Sequence, residues 1–135
     1  MNRRTFVVGV AFASVAWSCK REARCSTCGM RIDPASAFRA ELVTDLSQKS
    51  PLVFDTPRCA LRAWKKAGSG VVRLQEYYDR TLRDARELRL VTGSDVAGPM
   101  GPDFIPVDPS HVAKFMQDHS GDHAYRLEEI TVELL

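Results

Sequence analysis

Two stretches of this chain carry the same order of structural signals, and this internal similarity narrows the folds that are open to it. Asp55 precedes a predicted helix that ends before Gly68, and Asp108 precedes one that ends before Gly121. The Asp and the Gly are 13 positions apart in both stretches. Aspartate is a favoured helix N-cap, and glycine commonly follows the last helical turn. The pattern predicts an α+β fold built from two strand-strand-helix-strand repeats.

Proline and apolar spacing define the predicted elements. The first helix has Asp55 as its N-cap, Pro57 in its first turn and an end near Ala67, and it places Cys59 on its apolar face. The second helix starts at Pro109 and ends near His119. Residues 77–87 form either a short helix or an exposed excursion, and the Gly- and Pro-rich residues 93–103 form a loop. Short apolar runs predict strands at residues 38–43, 51–54, 71–74, 88–91, 105–107 and 127–134.

The first nineteen residues have the pattern of an export signal. Arg3 and Arg4 form a basic start, and residues 6–17 form an apolar run that is short for a membrane span. The paired arginines before Phe6 also resemble a twin-arginine signal, so the Sec and Tat routes both stay open. The run stops at Cys19, where residues 16–19 form a degenerate lipobox. We expect Cys19 to carry a lipid anchor; ordinary cleavage with a leftover thiol is the alternative.

Composition favours a small exported domain and argues against nucleic-acid binding. The chain has 19 Lys and Arg against 17 Asp and Glu, so a mature form without Arg3 and Arg4 is neutral. A nucleic-acid-binding domain would carry a basic surplus. About 116 mature residues are enough for one compact domain. Exported chains seldom keep free thiols, yet three cysteines follow Cys19, which favours a metal or one disulfide with a buried free thiol.

The most informative chemical feature is the sequence Cys-Ser-Thr-Cys-Gly-Met at residues 25–30. Thiolate and thioether are soft ligands that together favour Cu(I) over harder divalent ions. Gly29 permits the sharp turn that would bring the sulfurs of Cys28 and Met30 to one point. Met100, at the centre of the 93–103 loop, is a further candidate ligand. The chain shows no phosphate loop, nucleophile elbow or helical His pair, so we expect no enzymatic activity.

Two other functions use the same cysteines. Cys25 and Cys28 have the spacing of a thiol-disulfide oxidoreductase, although no convincing helix follows them. Cys25, Cys28, Cys59 and a histidine would suit a zinc-binding structural module. Cys59 also fits a buried core thiol. His111, His119 and His123 fit solvated helix or loop positions.

The ordered set of motifs resembles the NosL family, the nitrous oxide reductase accessory lipoproteins. The resemblance rests on the 25–30 motif, on Val-Phe-Asp at 53–55 leading into Cys-Ala-Leu at 59–61, and on the Gly- and Pro-rich segment 93–102. It covers approximately residues 24–129. The fold that it implies is a pair of β-β-α-β repeats similar to that of organomercurial lyase.

The resemblance also implies a function and a site. It implies a periplasmic, membrane-anchored lipoprotein that binds one Cu(I) and delivers it for nitrous oxide reductase maturation in denitrification, with an ABC-type membrane complex as docking partner. Cys28, Met30 and Met100 match the ligand motif of the family, and Cys25 matches the first cysteine of that motif. On this basis the chain divides into a signal peptide (1–19), a tether (20–27) and a copper-binding domain (28–135). The degenerate lipobox and the charged segment 75–86 depart from the family pattern.

Overall fold

The structure is a computed structural model that describes residues 21–135. The predicted signal peptide and the anchor at Cys19 lie outside the described residues. Within residues 21–135, none of the helices has the length and apolar character needed to cross a membrane.

The described chain is a mixed α/β structure with two helices and antiparallel sheets, which confirms the predicted α+β class. The helices are α1 (Pro57–Ala67) and α2 (Val112–His119). The strands are β1 (Ala40–Val43), β2 (Leu52–Phe54), β3 (Val71–Gln75), β4 (Leu82–Asp84), β5 (Arg89–Thr92), β6 (Ala97–Gly98), β7 (Gly101–Pro102), β8 (Ile105–Val107) and β9 (His123–Tyr125). Short 3-10 helices span Ala85–Glu87, Pro109–His111, Leu127–Glu129 and Val132–Leu134.

The first half is a four-stranded antiparallel sheet covered by α1. Its strand order is β2-β1-β3-β4, with Ala40 opposite Phe54 on one side and opposite Leu74 on the other. Side chains alternate across a sheet, so Ala40 and Leu42 of β1 share one face, and both are buried. Helix α1 packs against β1, β2 and β3. This arrangement holds the N-terminal end of α1 beside the end of β2.

The second half is a three-stranded antiparallel sheet with the order β8-β5-β9. Phe115 of α2 packs with Val91, Ile105 and Val107 of this sheet in a small apolar cluster. In both halves the first strand lies between the second strand and the strand that follows the helix. The duplication of one ancestral unit stays a prediction.

Helix α1 begins one residue later than predicted, and its N-cap is Thr56 rather than Asp55. Thr56 has an extended backbone, and its hydroxyl accepts a hydrogen bond from the Cys59 amide at 3.2 Å. That hydroxyl satisfies one of the free amides of the first turn. The helix ends as predicted, because Gly68 adopts a left-handed conformation (φ 72°) and donates its amide to the Trp64 carbonyl.

Two other predicted segments differ. Residues 77–87 form a turn, strand β4 and the 3-10 helix Ala85–Glu87 rather than one short helix or a free excursion. The buried Glu76 carboxylate accepts the amides of Tyr78 and Asp79 and closes the turn that leads into β4. The prediction of a terminal strand at residues 127–134 was wrong, because this segment forms two 3-10 helices. Leu127 and Ile130 are both buried and three residues apart, a spacing that matches a 3-10 turn rather than the two-residue period of a strand.

The N-terminal part of the described chain also contributes to the fold. Arg24 and Arg31 form an antiparallel bridge, and Cys25 between them is buried. Ordered structure therefore extends into residues that the sequence assigned to a tether.

Candidate metal site

The candidate site starts with the loop that the Arg24–Arg31 bridge closes. The Cys25 amide donates to the Met30 carbonyl at 2.8 Å, and the Gly29 amide donates to the Cys25 carbonyl at 2.9 Å. Gly29 has φ 75°, a left-handed conformation that disfavours residues with a Cβ atom. These contacts fix the predicted turn and leave Cys28 exposed at the surface of the loop.

The loop is attached to the first sheet and to α1. The Ser26 amide donates to the Val53 carbonyl of β2 at 2.9 Å. The Thr27 hydroxyl donates to the Cys59 carbonyl at 3.1 Å. Two anchors therefore hold the loop over the first turn of α1.

This attachment brings three cysteines and one carboxylate together. The Sγ atoms of Cys25, Cys28 and Cys59 and a carboxylate oxygen of Asp55 all lie within 4.8 Å of one another. Cys28 donates to the two oxygens of Asp55 at 3.5 and 3.6 Å. Cys25, Asp55 and Cys59 are each only 3% exposed. The cluster therefore has three inward members and one member at the surface.

Sequence reasoning grouped Cys25, Cys28 and Cys59 only in the zinc alternative, with a histidine as the fourth ligand, and it left out Asp55. Cys59 is buried on the apolar face of α1, as predicted, but it also faces the loop cysteines. Asp55 was interpreted as a cap, whereas Thr56 takes that role and Asp55 joins the thiols. The signal for Cys59 was its membership of the zinc alternative, whereas no helical spacing could indicate Asp55, because it lies before the N-cap of α1.

Burial shifts the acidity of two thiols. The pKa of Cys28 is raised, chiefly by desolvation and partly opposed by the Met30 amide; the neighbouring Cys25 and Asp55 raise it further. Desolvation raises the pKa of Cys59 to about 12, again with Cys25 and Asp55 as smaller causes. Both cysteines are therefore protonated at neutral pH in the metal-free protein, and a bound metal must displace their protons.

The two candidate methionines are exposed, and both lie on segments attached to the start of α1. Met30 directly follows the Cys28-Gly29 turn and is 42% exposed, and Met100 lies between β6 and β7 and is 58% exposed. Asp103, just after β7, accepts the amides of Arg58 in α1 at 3.0 Å and of Phe104 at 2.7 Å. Both thioethers therefore lie outside the core, where a metal or a partner protein could reach them.

The three histidines lie away from the thiol cluster. His119 contacts Asp95 at 2.9 Å and Tyr77 at 3.3 Å. His111 packs against Tyr78, and His123 packs against Tyr125. None belongs to the four-residue cluster, so the predicted zinc set of three cysteines and a histidine has Asp55 in the place of the histidine.

Comparison with known sequences identifies the family. The sequence model of the NosL family matches residues 16–135, which include the cysteine loop, α1 and the β6–β7 hairpin. The chain belongs to the NosL family. This is a family of copper chaperones and not of enzymes, which confirms the prediction of a non-enzymatic protein. No curated protein sequence matches the chain significantly.

A solved structure agrees with this placement. The crystal structure of the copper chaperone NosL from Shewanella denitrificans matches with a TM-score of 0.63 and 22% sequence identity. The match covers 82% of this chain and 90% of that one. At this identity the likeness shows a shared NosL fold.

Proposed function

We propose that this chain is a Cu(I) metallochaperone that delivers copper outside the cytoplasm. The observation that carries the proposal is an exposed cysteine, Cys28, on a rigid loop at the edge of a buried thiol cluster in a member of the NosL family. The likeness to a copper chaperone from Shewanella supports the same cargo.

Cys28, Met30 and Met100 are the proposed ligands. One thiolate and two thioethers form a soft donor set of the kind that Cu(I) prefers. All three side chains are exposed, so an incoming ligand can reach the metal. Cys25 is a further candidate because its sulfur lies within 4.8 Å of the Cys28 sulfur, but it is buried on the inward side.

Loading and release follow from the chemistry of these ligands. Cu(I) displaces the proton of the Cys28 thiol, which leaves to solvent as the Cu–S bond forms. The thioethers of Met30 and Met100 carry no proton near neutral pH, so they bind without proton release. A thiolate or thioether of the receiving protein can add to the exposed metal before Met30 or Met100 leaves, so free copper is never released.

The proposed recipient is nitrous oxide reductase, reached through an ABC-type membrane complex. This part rests on the family resemblance of the motifs. Cys19 would carry the lipid that tethers the domain to the membrane, and the residues before it would be removed with the signal peptide. Localisation in the periplasm is consistent with ligands that include thioethers, because methionine does not form disulfides in an oxidising compartment.

The oxidoreductase alternative is less compatible with the site. A redox-active cysteine has a lowered pKa, often at a helix N-terminus. Cys28 lies in a loop instead, and its pKa is raised. Cys28 is thus poorly prepared to act as the attacking thiolate in thiol-disulfide exchange.

Copper transfer tests the proposal. Copper-loaded protein is mixed without oxygen with copper-free nitrous oxide reductase in membranes that contain the ABC-type complex, and the copper sites of the reductase are followed by absorption spectroscopy. We expect the wild type to fill them and Cys28→Ser to fail. If free Cu(I) at the same buffered concentration fills them equally well, the delivery role is wrong.

A further inference from the structure

We infer that the groove between residues 21–23 and 31–39 binds the headgroups of anionic phospholipids and so fixes the orientation of the domain on a membrane. The inference rests on the proposed function only in the cell, where a lipid on Cys19 would bring the groove to the membrane. It goes beyond that function, because a lipid anchor alone gives the domain no preferred face.

The groove lies at the open end of a short hairpin. The Ile32 amide donates to the Ala23 carbonyl at 2.8 Å, next to the bridge between Arg24 and Arg31. Ile32 is buried in the same cluster as Leu42 of the first sheet, so the hairpin is fixed to the core. The groove has a volume of about 330 Å³, with an apolar part formed by Ala23, Ile32 and Pro34 and a basic part formed by Arg21, Arg31 and Arg39.

The basic side chains of the groove are mostly without an acidic partner. Arg21 and Arg31 are exposed, and Arg39 is half-buried. In the described part of the chain, only Arg31 of these three forms an ion pair, with the Glu22 carboxylate at 3.4 Å. The nearby Asp33 carboxylate accepts a backbone amide instead. The groove therefore carries a surplus of positive charge.

This combination of surfaces matches a phospholipid headgroup. Arginine binds phosphate through two parallel hydrogen bonds, which adds geometric specificity to the attraction of charge. The stem of an arginine side chain can lie along apolar surface while its charged end stays in water. An apolar floor with a basic rim therefore suits a molecule that carries a phosphate next to glycerol and acyl carbons.

The sequence places this groove next to the expected anchor. Cys19 and Arg21 are two positions apart, so their Cα atoms are at most about 7 Å apart. The polar headgroup layer on each side of a bilayer is about 5–8 Å thick. If Cys19 carries the lipid, Arg21 and the groove that it lines therefore lie at the headgroups. Each Lys or Arg near an anionic surface strengthens binding about fivefold.

The distribution of charge along the chain favours the same orientation. Residues 21–92 contain 14 Lys and Arg against 9 Asp and Glu, whereas residues 93–135 contain 2 against 8. The chain without its signal peptide is thus neutral in total but strongly polarised. An anionic surface attracts the part that bears the groove and repels the acidic part.

This orientation leaves the proposed copper ligands accessible. Cys28 lies at the tip of the hairpin, beyond the pair that the Cys25 amide forms with the Met30 carbonyl. Arg21 lies at the opposite, open end. Docking through the open end therefore leaves the tip uncovered, and a membrane-bound partner can reach it.

Paramagnetic broadening in NMR spectra tests the inference on the reduced, metal-free protein of residues 20–135, which includes the whole described fold. Nanodiscs of phosphatidylglycerol carry a spin label on the headgroup, and labelled nanodiscs of phosphatidylcholine are the neutral control. At low salt, we expect the anionic lipid to broaden the amide signals of residues 21–23 and 31–39 most, and the neutral lipid to broaden none. Because this protein lacks Cys19, the result does not depend on acylation in the cell.

Three results would overturn the inference. No broadening with the anionic lipid would leave an acidic protein segment as the occupant of the groove. Broadening centred on α1, at Arg62 and Lys66, would place the membrane contact on another face. If inorganic phosphate shifts the groove signals as strongly as the anionic nanodiscs do, the groove is a site for free phosphate.

Matched double variants separate the groove from the net charge of the protein. Arg21→Gln with Arg39→Gln removes two charges from the groove. Lys49→Gln with Lys66→Gln removes two from exposed positions in the β1–β2 turn and in α1. Binding to phosphatidylglycerol vesicles, measured by sedimentation, should fall about 25-fold in the first variant and less than about fivefold in the second. Thermal melts check that both stay folded, and equal losses of binding would show attraction to net charge without an oriented face.

Discussion

Exposure divides the sulfur side chains of the candidate site into two groups. Cys28 and the two methionines are accessible, whereas Cys25 and Cys59 are each only 3% exposed. Exchange of a metal with a partner needs accessible ligands, and stable retention needs buried ones. The position of Cys28 at the boundary makes it the residue on which the proposed copper binding and transfer depend.

Substitution of the copper ligands should show a clear ranking. Cys28→Ser removes the anionic donor and should weaken Cu(I) binding by more than the about 10- to 100-fold loss that follows removal of a supporting residue. Met30→Leu and Met100→Leu roughly conserve volume and apolarity, so each should keep the fold and weaken binding less. Chelator competition and thermal melts on the same proteins measure both quantities. If Met100→Leu binds copper like the wild type, Met100 is not a ligand.

Cys59→Ala should have the opposite effect: it should lower the stability of the fold and leave Cu(I) affinity largely unchanged. Removal of a buried sulfur leaves a small cavity, and we expect a loss of about 1 kcal/mol in the free energy of unfolding. Copper affinity should be largely spared. Chemical denaturation of the reduced, metal-free protein gives the first value, and chelator competition gives the second. A large loss of Cu(I) affinity would place Cys59 among the copper ligands.

The pH dependence of copper binding follows from the raised pKa of Cys28. The thiol is protonated below that pKa, so each Cu(I) bound releases one proton. The apparent affinity should therefore rise about tenfold per pH unit between about pH 6 and 8. The Cys28→Ser variant should lose this slope, since thioethers do not titrate there. A wild-type affinity that is flat across this range would contradict the assignment of Cys28.

At the scale of elements, the start of α1 connects the two segments that carry the candidate metal ligands. The cysteine loop reaches it through Thr27, and the β6–β7 hairpin reaches it through Asp103. The sequence predicted α1 within a residue at its start, because proline and glycine mark its ends. It did not predict Asp55 in the cluster, because the choice between neighbouring capping residues depends on tertiary contacts with the loop at residues 25–30.

Local sequence predicted other elements less well. The excursion at residues 77–87 depends on Glu76, whose buried carboxylate accepts backbone amides that propensity alone does not reveal. The hairpin β6–β7 lies within the Gly- and Pro-rich residues 93–103, which the sequence predicted only as a loop. Met100 is a candidate ligand because of its place in that loop, but the tie of the loop to α1 through Asp103 became visible only in three dimensions.

Substitution of Asp103 tests whether the tie between the β6–β7 hairpin and α1 positions Met100. Asp103→Ala removes the acceptor for two amides and should cost about 1–3 kcal/mol of stability. It should also lower Cu(I) affinity to the level of Met100→Leu, because the hairpin is no longer tied to α1. Asp103→Asn is the matched control: it keeps an acceptor oxygen and should preserve both properties. An alanine variant with unchanged copper affinity would show that this tie does not position Met100.

The contribution of Asp103 to stability should also depend on pH. Burial raises the pKa of the Asp103 carboxyl, since desolvation disfavours its charged form. Its contribution to stability is therefore complete below the ordinary aspartate pKa and declines as pH rises through the raised value. Asp103→Asn cannot ionise and should show less of this decline when unfolding is compared across pH.

At the scale of the whole molecule, the two sheets share one core. Leu88, Leu90 and Phe104 of the second half pack in the same cluster as Leu42 and Leu74 of the first. The β-β-α-β pattern read from Asp55 and Asp108 identified the fold class because capping signals are local. The sharing of the core could not be predicted, because it depends on how the halves meet.

Export and anchoring are tested in cells. In a Gram-negative host, Cys19→Ser should move the protein from the membrane to the soluble periplasmic fraction, because acylation requires that thiol. Mass spectrometry of the wild type should show the lipid. In a host without twin-arginine translocation, unchanged export would reject the Tat route for Arg3 and Arg4. A soluble, unacylated wild type would show that the lipoprotein prediction is wrong.

The proposed copper site holds one Cu(I) through Cys28 and the two thioethers of Met30 and Met100. Anaerobic titration of the reduced domain against a chromophoric Cu(I) chelator, with X-ray absorption spectroscopy of the loaded protein, tests it most directly. We predict about one Cu(I) per chain, surrounded by sulfur alone, and held in preference to Zn(II). Zinc retained as tightly as copper, or a copper ion bound by nitrogen or oxygen in place of the thioethers, would contradict Cu(I) binding through Cys28 and two methionines.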